Sequence, residues 1–126
     1  MKVKLSKAFA LNEFCKKIAE EKLPLKLSYK IAKAALIIET ELDFYRKQYS
    51  NYLNLFILKD EDGEFVRLDD GSLKIIPGAE SECEKKITEL NEFEFDLPNF
   101  TFTLDELEGL NISVADMTVL APFIIE

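Results

Sequence analysis

The chain has 126 residues, enough for one domain with a hydrophobic core but few for two. Hydrophobic residues make up 48% of it and Gly and Pro are scarce, which excludes the disordered and low-complexity classes. The net charge is −8, and the absence of His removes the commonest general base and the commonest metal ligand. No apolar run is long enough to span a membrane, and the first residues lack the pattern of a signal peptide.

The charge is divided unevenly along the chain. Residues 1–59 contain twelve Lys and Arg against six Asp and Glu, whereas residues 60–126 contain four against eighteen. Such a division indicates either charged partners or two halves that face each other within the fold. It argues against binding to large nucleic acids, because the acidic half would repel them.

The first elements in the chain are a short strand and a helix. Alternation over Met1–Leu5 predicts a strand, and Ser6 is placed to cap a helix over Lys7–Glu21. The inner face of that helix is predicted to carry Phe9 or Ala10, then Phe14, Ile18 and Ala19. Pro24 follows and suits the first turn of the next helix, so the link between the two helices is short and predicts an antiparallel hairpin.

The second helix is predicted to run from Leu25 to Lys59 without a Pro or Gly. Apolar residues recur along it at near-heptad spacing: Leu27, Ile31, Ala34, Ile38, Leu42, Tyr45, Tyr49, Tyr52 and Phe56. A helix of this extent would be roughly 50 Å long, whereas a compact domain of this size is about 35 Å across. Three solutions stay open: a break near Ser50-Asn51, a strand over Leu55–Lys59, or a distal half that leaves the domain and is covered by another part of this chain or by a second copy of it.

The rest of the chain alternates turns with short elements. A hairpin is predicted with strands at 65–68 and 73–76, then a helix over Ala79–Asn91 with Cys83, Ile87 and Leu90 facing inward. Glu92–Leu97 alternates as a strand with an acidic face, whose natural neighbour is the strand that carries Lys2 and Lys4. Capping patterns at Thr103 and Ser113 predict two short helices, and the apolar tail is expected to pack back.

These elements together predict an α+β fold. A long antiparallel helical hairpin packs with a small antiparallel β-sheet and short C-terminal helices, in a single domain over residues 1–126. Residues 1–59 form its basic part, a strand plus the helical hairpin. Residues 60–126 form its acidic part. Cys15 and Cys83 are expected as buried free thiols, as in a reducing cytoplasm.

A cluster of lysines provides the candidate ligand site. Lys22, Lys26, Lys30 and Lys33 fall on one helical face near the hairpin turn, and Tyr29 lies among them. Ammonium groups in this arrangement could hold phosphates; the ordinary alternative is a solvated face. Tyr45, Tyr49, Tyr52 and Phe56 are the candidate oligomer seam, and the tyrosines could instead stack on a base. We expect no catalytic residue, no metal site and no cofactor, since the sequence lacks a nucleophile turn and a phosphate-binding glycine loop.

Several short runs, taken in order, resemble those of a known family. They are Lys59-Asp60-Glu61-Asp62-Gly63, Asp70-Gly71-Ser72-Leu73-Lys74-Ile75, Glu89-Leu90, Leu104-Asp105-Glu106-Leu107-Glu108 and Leu120-Ala121-Pro122-Phe123-Ile124. This succession resembles a family of small uncharacterised proteins of tailed bacteriophages and prophages of Gram-positive bacteria. The resemblance implies a phage product that acts in the cytoplasm of the host bacterium, and it implies no activity.

The sequence thus favours a non-enzymatic accessory protein that acts by stoichiometric binding. Its most concrete form is counter-defence by a homo-oligomer that sequesters a small anionic signal of the nucleotide type. One alternative is an acidic protein-binding module, either a DNA mimic or a partner of a basic host or virion protein, through Glu92, Glu94, Asp96, Asp105, Glu106 and Glu108. Another is an accessory role in particle assembly.

Overall fold

A computed structural model of the chain describes residues 1–125 and has the predicted α+β architecture. Glu126, the end of the predicted acidic part, lies outside the described residues. In chain order the elements are β1 (Lys2–Lys4), α1 (Leu5–Ile18), α2 (Leu25–Phe56), α3 (Glu80–Glu92), β2 (Glu94–Asp96), α4 (Leu104–Leu107) and α5 (Val114–Leu120), followed by a 3-10 turn at Ala121–Phe123.

The described residues separate into two compact units. One comprises Met1–Leu42 together with the chain from Glu94 onward, and the other comprises Asp43–Phe93. The division therefore falls inside α2 and not at residue 59, where the charge changes sign. The expectation of a single domain over the whole chain stays a prediction.

The helical hairpin of α1 and α2 is confirmed, and its buried face follows the predicted stripe. Leu27, Ile31, Ala34, Ile38 and Leu42 are all buried. The first helix begins earlier than expected, at Leu5, and no side chain caps it, so the predicted Ser6 cap is wrong. The inner face of α1 is consequently shifted. Leu5, Ala8 and Leu11 are buried, whereas Phe9 and Ala10 are exposed.

The two strands form a two-stranded antiparallel sheet in the predicted pairing. Lys2 lies opposite Asp96 and Lys4 opposite Glu94, while the buried Val3 and Phe95 face each other between them. Opposite charges therefore meet across the strands on the exposed face. The amino terminus adds a further contact, since it donates to Asp96 Oδ1 at 3.2 Å.

The segment after α2 forms a ring of three short extended pieces, which the predicted hairpin described only in part. The Leu58 amide donates to the Lys74 carbonyl, the Lys74 amide to the Val66 carbonyl, and the Val66 amide to the Leu58 carbonyl, at 2.8, 2.9 and 2.9 Å. Isolated antiparallel bridges at 57–75, 59–65 and 67–73 complete it. Gly63 and Gly71 turn the chain between the pieces with positive φ, a conformation that other residues rarely adopt.

The second helix ends earlier than predicted, where the ring of extended pieces begins. The helix is continuous through Ser50-Asn51 and stops at Phe56, three residues before the predicted end. The chain then pairs across the 60–63 turn, so the alternative of a strand in this region applies only to the residues after the helix.

The C-terminal segment folds onto a cluster of aromatic rings. Phe100, Phe102 and Phe123 are buried, and the Phe100 ring meets the other two edge-on with centroids 4.8 and 5.0 Å away. The Phe102 amide donates to the Phe123 carbonyl at 2.8 Å, which ties the tail to this cluster. The expectation that the tail packs back is therefore confirmed for Phe123, although Ile125 stays exposed.

Both predicted capping boxes are present at the short helices. Thr103 and Glu106 satisfy each other's backbone amides at the start of α4, and Ser113 and Asp116 do the same at α5. Asp116 also forms an ion pair with Lys17 of α1. Hydrogen bonds from the Lys17 ammonium and from the Ser113 amide lower the pKa of Asp116. The pKa of Glu106 is lowered mainly by the hydrogen bond from the Thr103 amide and, to a smaller extent, by Lys30.

We therefore expect the chain to lose stability in acid. The two carboxyl groups bind protons more readily in the unfolded chain, where an Asp or Glu titrates near pH ~4. Their contribution to the free energy of unfolding is thus complete above that pH and is lost as the pH falls through the lower, folded pKa values. Urea unfolding at a series of pH values would measure it, and Asp116→Asn should flatten the dependence. Glu13→Gln, an exposed carboxyl on α1, is the control; an equal effect of the two substitutions would contradict the prediction.

Candidate functional site

Four of the five residues of the predicted lysine site are exposed, and the fifth, Lys30, makes contacts within the protein. Lys22, Lys26, Lys33 and Tyr29 are exposed in the first unit. The prediction that Lys22 shares a helical face with the others is wrong, because α2 begins only at Leu25. The Lys33 ammonium lies 5.7 Å from the centroid of the Tyr29 ring. These four residues therefore form an open basic face on which an anion would remain solvated.

Lys30 is committed to contacts within the first unit. Its ammonium donates to the Thr101 carbonyl at 2.7 Å and to Glu106 Oε2 at 3.0 Å, and it lies 4.9 Å from the centroid of the Phe102 ring. A carboxylate, a carbonyl and a ring face thus surround its charge. These contacts join α2 to the C-terminal segment, which indicates a structural role for Lys30.

The predicted oligomer seam lies in the second unit, where the unit's own elements cover much of it. Phe56 is buried, and Tyr45 and Tyr52 are half-buried. The Tyr45 hydroxyl donates to Asn91 of α3 at 2.8 Å, and its ring stacks on Tyr49 with centroids 6.0 Å apart. Burial is the main cause that raises the pKa of Tyr45, and the neighbouring Tyr49 adds to it. Of these four residues Tyr49 is the most exposed, at 37%, and use of the seam between copies stays a prediction.

The first unit holds a cavity of about 380 Å³ between β1, α1 and the C-terminal turn. Apolar residues dominate its lining, and Val3, Leu11 and Phe123 are its buried members. Lys2, Lys4 and Lys7 line it as well, together with Glu94. Asp96 lies opposite Lys2 and Glu94 opposite Lys4 in the sheet, so Lys7 is the lysine of the lining that the strand pairing does not place opposite a carboxylate. A volume of this order accepts a small organic molecule, and the lysines favour an anionic one.

Sequence reasoning did not find this cavity. Two of its lysines, Lys2 and Lys4, belong to the alternation that predicts the first strand, and Lys7 follows two residues after the predicted strand. Part of its wall, however, is formed by residues from the other end of the chain: Thr118, Val119, Pro122 and Phe123. The return of the tail brings these residues beside β1 and α1, and no local pattern encodes where the tail packs.

The remaining chemistry-bearing groups do not form a site within the described part of the chain. Cys15 and Cys83 are buried free thiols, as expected. Burial raises the pKa of Cys15 to about 11, which suppresses the reactive thiolate. Residues 1–125 contain no group of three Cys, Asp or Glu side chains arranged to hold a metal ion.

No helix within residues 1–125 combines the length and the apolar character that a membrane span requires. Comparison with known proteins identifies no relative: no protein-family model, no curated protein and no solved structure matches the chain.

Proposed function

We propose that the protein acts by stoichiometric binding of a small amphipathic anion in the cavity beside β1. The observation that carries this proposal is the combination of a mainly apolar, ligand-sized cavity with three lysines in its lining. Apolar walls exclude water from part of a ligand, and the ammonium groups compensate the charge of the rest. The lysine face of α2 offers charge without enclosure, which makes it the weaker site.

The biological setting of the proposal comes from the sequence resemblance. A phage product that holds a small anion in the host cytoplasm would deplete it, and a nucleotide-type defence signal is the chemistry that a binder of this kind would counter. The size of the cavity and the lysines in its lining fit a small anion of this kind. Binding in the cavity would not require self-association, because every lining residue belongs to one unit of one chain.

Ligand-dependent thermal unfolding tests the proposal. The probes are AMP, which combines a flat base with a phosphate, and octanoate, which combines an alkyl chain with a carboxylate. A ligand at 100 times its dissociation constant should stabilise the folded chain by about 2.7 kcal/mol. That stabilisation would raise the midpoint by several degrees. We expect Lys7→Glu to abolish the rise, and Ala10→Phe to do the same by occupying the cavity.

Two matched variants locate the binding. Lys16→Glu makes the same charge change on an exposed residue of α1 outside the cavity lining, and it should leave the rise unchanged. Lys33→Glu makes it on the α2 face. If Lys33→Glu removed the rise while Lys7→Glu did not, the ligand would sit on α2 and the cavity assignment would fail. Absence of any rise with either probe would remove the support for an amphipathic anion.

A further inference from the structure

The outer face of α2 in the first unit carries a second apolar stripe, and this one is uncovered. Leu25, Tyr29 and Leu36 are 85%, 65% and 73% exposed, and the exposed Ala32 lies between the last two. At 100° per residue the stripe falls roughly opposite the buried one that begins at Leu27. Side chains of this size are rarely left in water in a row, so such a stripe indicates an interaction surface.

We propose that this stripe is the docking surface for an acidic amphipathic helix of a partner protein. The steps along it are four, three and four residues, the spacing of a coiled-coil seam. Two successive sets of four residues have the i, i+3, i+4, i+7 arrangement that receives one side chain of a facing helix. They are Leu25, Ser28, Tyr29 and Ala32, and then Tyr29, Ala32, Lys33 and Leu36, all of them exposed. The small residues within each set leave room for the incoming side chain.

The charge along the stripe specifies the partner. Lys26 and Lys33 are exposed beside it on α2, Lys22 is exposed just before the helix begins, and α2 has no acidic residue before Glu39. Lysines that flank a helical seam pair with carboxylates on the facing helix, and those pairs set partner choice and orientation. A partner helix with Leu-type residues on its seam and Glu or Asp beside them would therefore complement both features.

The same lysines disfavour an antiparallel pairing with a second copy of this chain. In such a pairing, centred on the stripe, Lys26 of one copy would approach Lys33 of the other. Like charges at these positions are destabilising. An anionic bilayer is also a poorer fit, because a helix that lies in a membrane interface has a broad apolar face and this one is a single stripe of three large residues.

Fluorescence anisotropy with a defined peptide tests the proposal. The probe is a labelled synthetic helix of about three heptads, with Leu at the a and d positions and Glu at the e and g positions. We expect saturable binding to the full chain that weakens with added salt, because exposed charge pairs are screened. A peptide with Lys in place of every Glu should not bind. Leu36→Glu should weaken binding by at least about tenfold, since a buried seam residue contributes strongly to an interface of this kind.

Leu55→Glu is the matched control. Leu55 is a leucine of the same helix, 64% exposed but outside the stripe, so its substitution should change the affinity by less than about twofold. Far-ultraviolet circular dichroism would verify that both variants fold. Equal binding by the Leu36 and Leu55 variants, or no binding of the acidic peptide, would overturn the proposal.

Two further measurements distinguish the other occupants. Sedimentation of the chain alone would detect self-association, and if Leu36→Glu abolished it the stripe would be a contact between copies. Co-sedimentation with phosphatidylglycerol vesicles would detect membrane binding. Either result in the absence of peptide binding would overturn the proposal in favour of that occupant.

Discussion

Phe102→Ala is expected to lower the free energy of unfolding by about 3–5 kcal/mol, the range for removal of a fully buried aromatic side chain. Phe102 has no exposed surface, and it contacts both Phe100 and the Lys30 ammonium. Its loss therefore leaves a cavity and removes the ring against which the lysine is held. Because small domains are stable by only about 5–15 kcal/mol, this one change should remove a large share of the total.

Urea unfolding followed by far-ultraviolet circular dichroism would measure the effect. Phe93→Ala is the control, since Phe93 is 54% exposed and its ring centroid lies 6.0 Å from that of Phe44. We expect it to cost less than about 1 kcal/mol. Comparable losses for the two variants would contradict the assignment of the aromatic cluster as a principal source of stability.

Lys30→Met is expected to cost about 1–3 kcal/mol, because it leaves the Thr101 carbonyl without the donor that lies 2.7 Å away. The ion pair with Glu106 adds less, since the Glu106 side chain is 36% exposed and solvent screens the pair. Methionine keeps most of the apolar length of the lysine, so the loss reports on the ammonium group and not on packing.

Lys26→Met provides the comparison for Lys30→Met. Lys26 is exposed on the same helix four residues earlier, and its replacement should change the free energy of unfolding by no more than about 0.5 kcal/mol. The ratio of the two decreases in the free energy of unfolding distinguishes a structural lysine from a solvated one. Equal decreases would contradict a structural role for Lys30 and would indicate that it is a solvated surface lysine.

The parts of the fold that local patterns encode were predictable. The buried stripe from Leu27 to Leu42, the capping boxes at Thr103 and Ser113, and the pairing of β1 with the acidic strand are all present. Each depends on spacing within a few residues or on complementary charge, and both can be read from the chain.

Features that depend on distant segments were not predictable. Lys30 shares its helical face with Lys26, yet only the return of the C-terminal segment places the Thr101 carbonyl and Glu106 beside it. The exposed stripe of Leu25, Tyr29 and Leu36 was concealed for a related reason. The longer stripe that begins at Leu27 dominates the apolar period of the helix, so a shorter stripe on the opposite face does not stand out in the sequence.

The ring of three extended pieces after α2 has a consequence for how this region opens. Each piece gives an amide to one neighbour and a carbonyl to the other. Within this ring each piece is therefore bonded to both of the others, so at these bonds no piece presents the unpaired side to which a foreign strand could add. Removal of any single piece would break two of the three hydrogen bonds at once. We therefore expect the three pieces to unfold together and not one at a time.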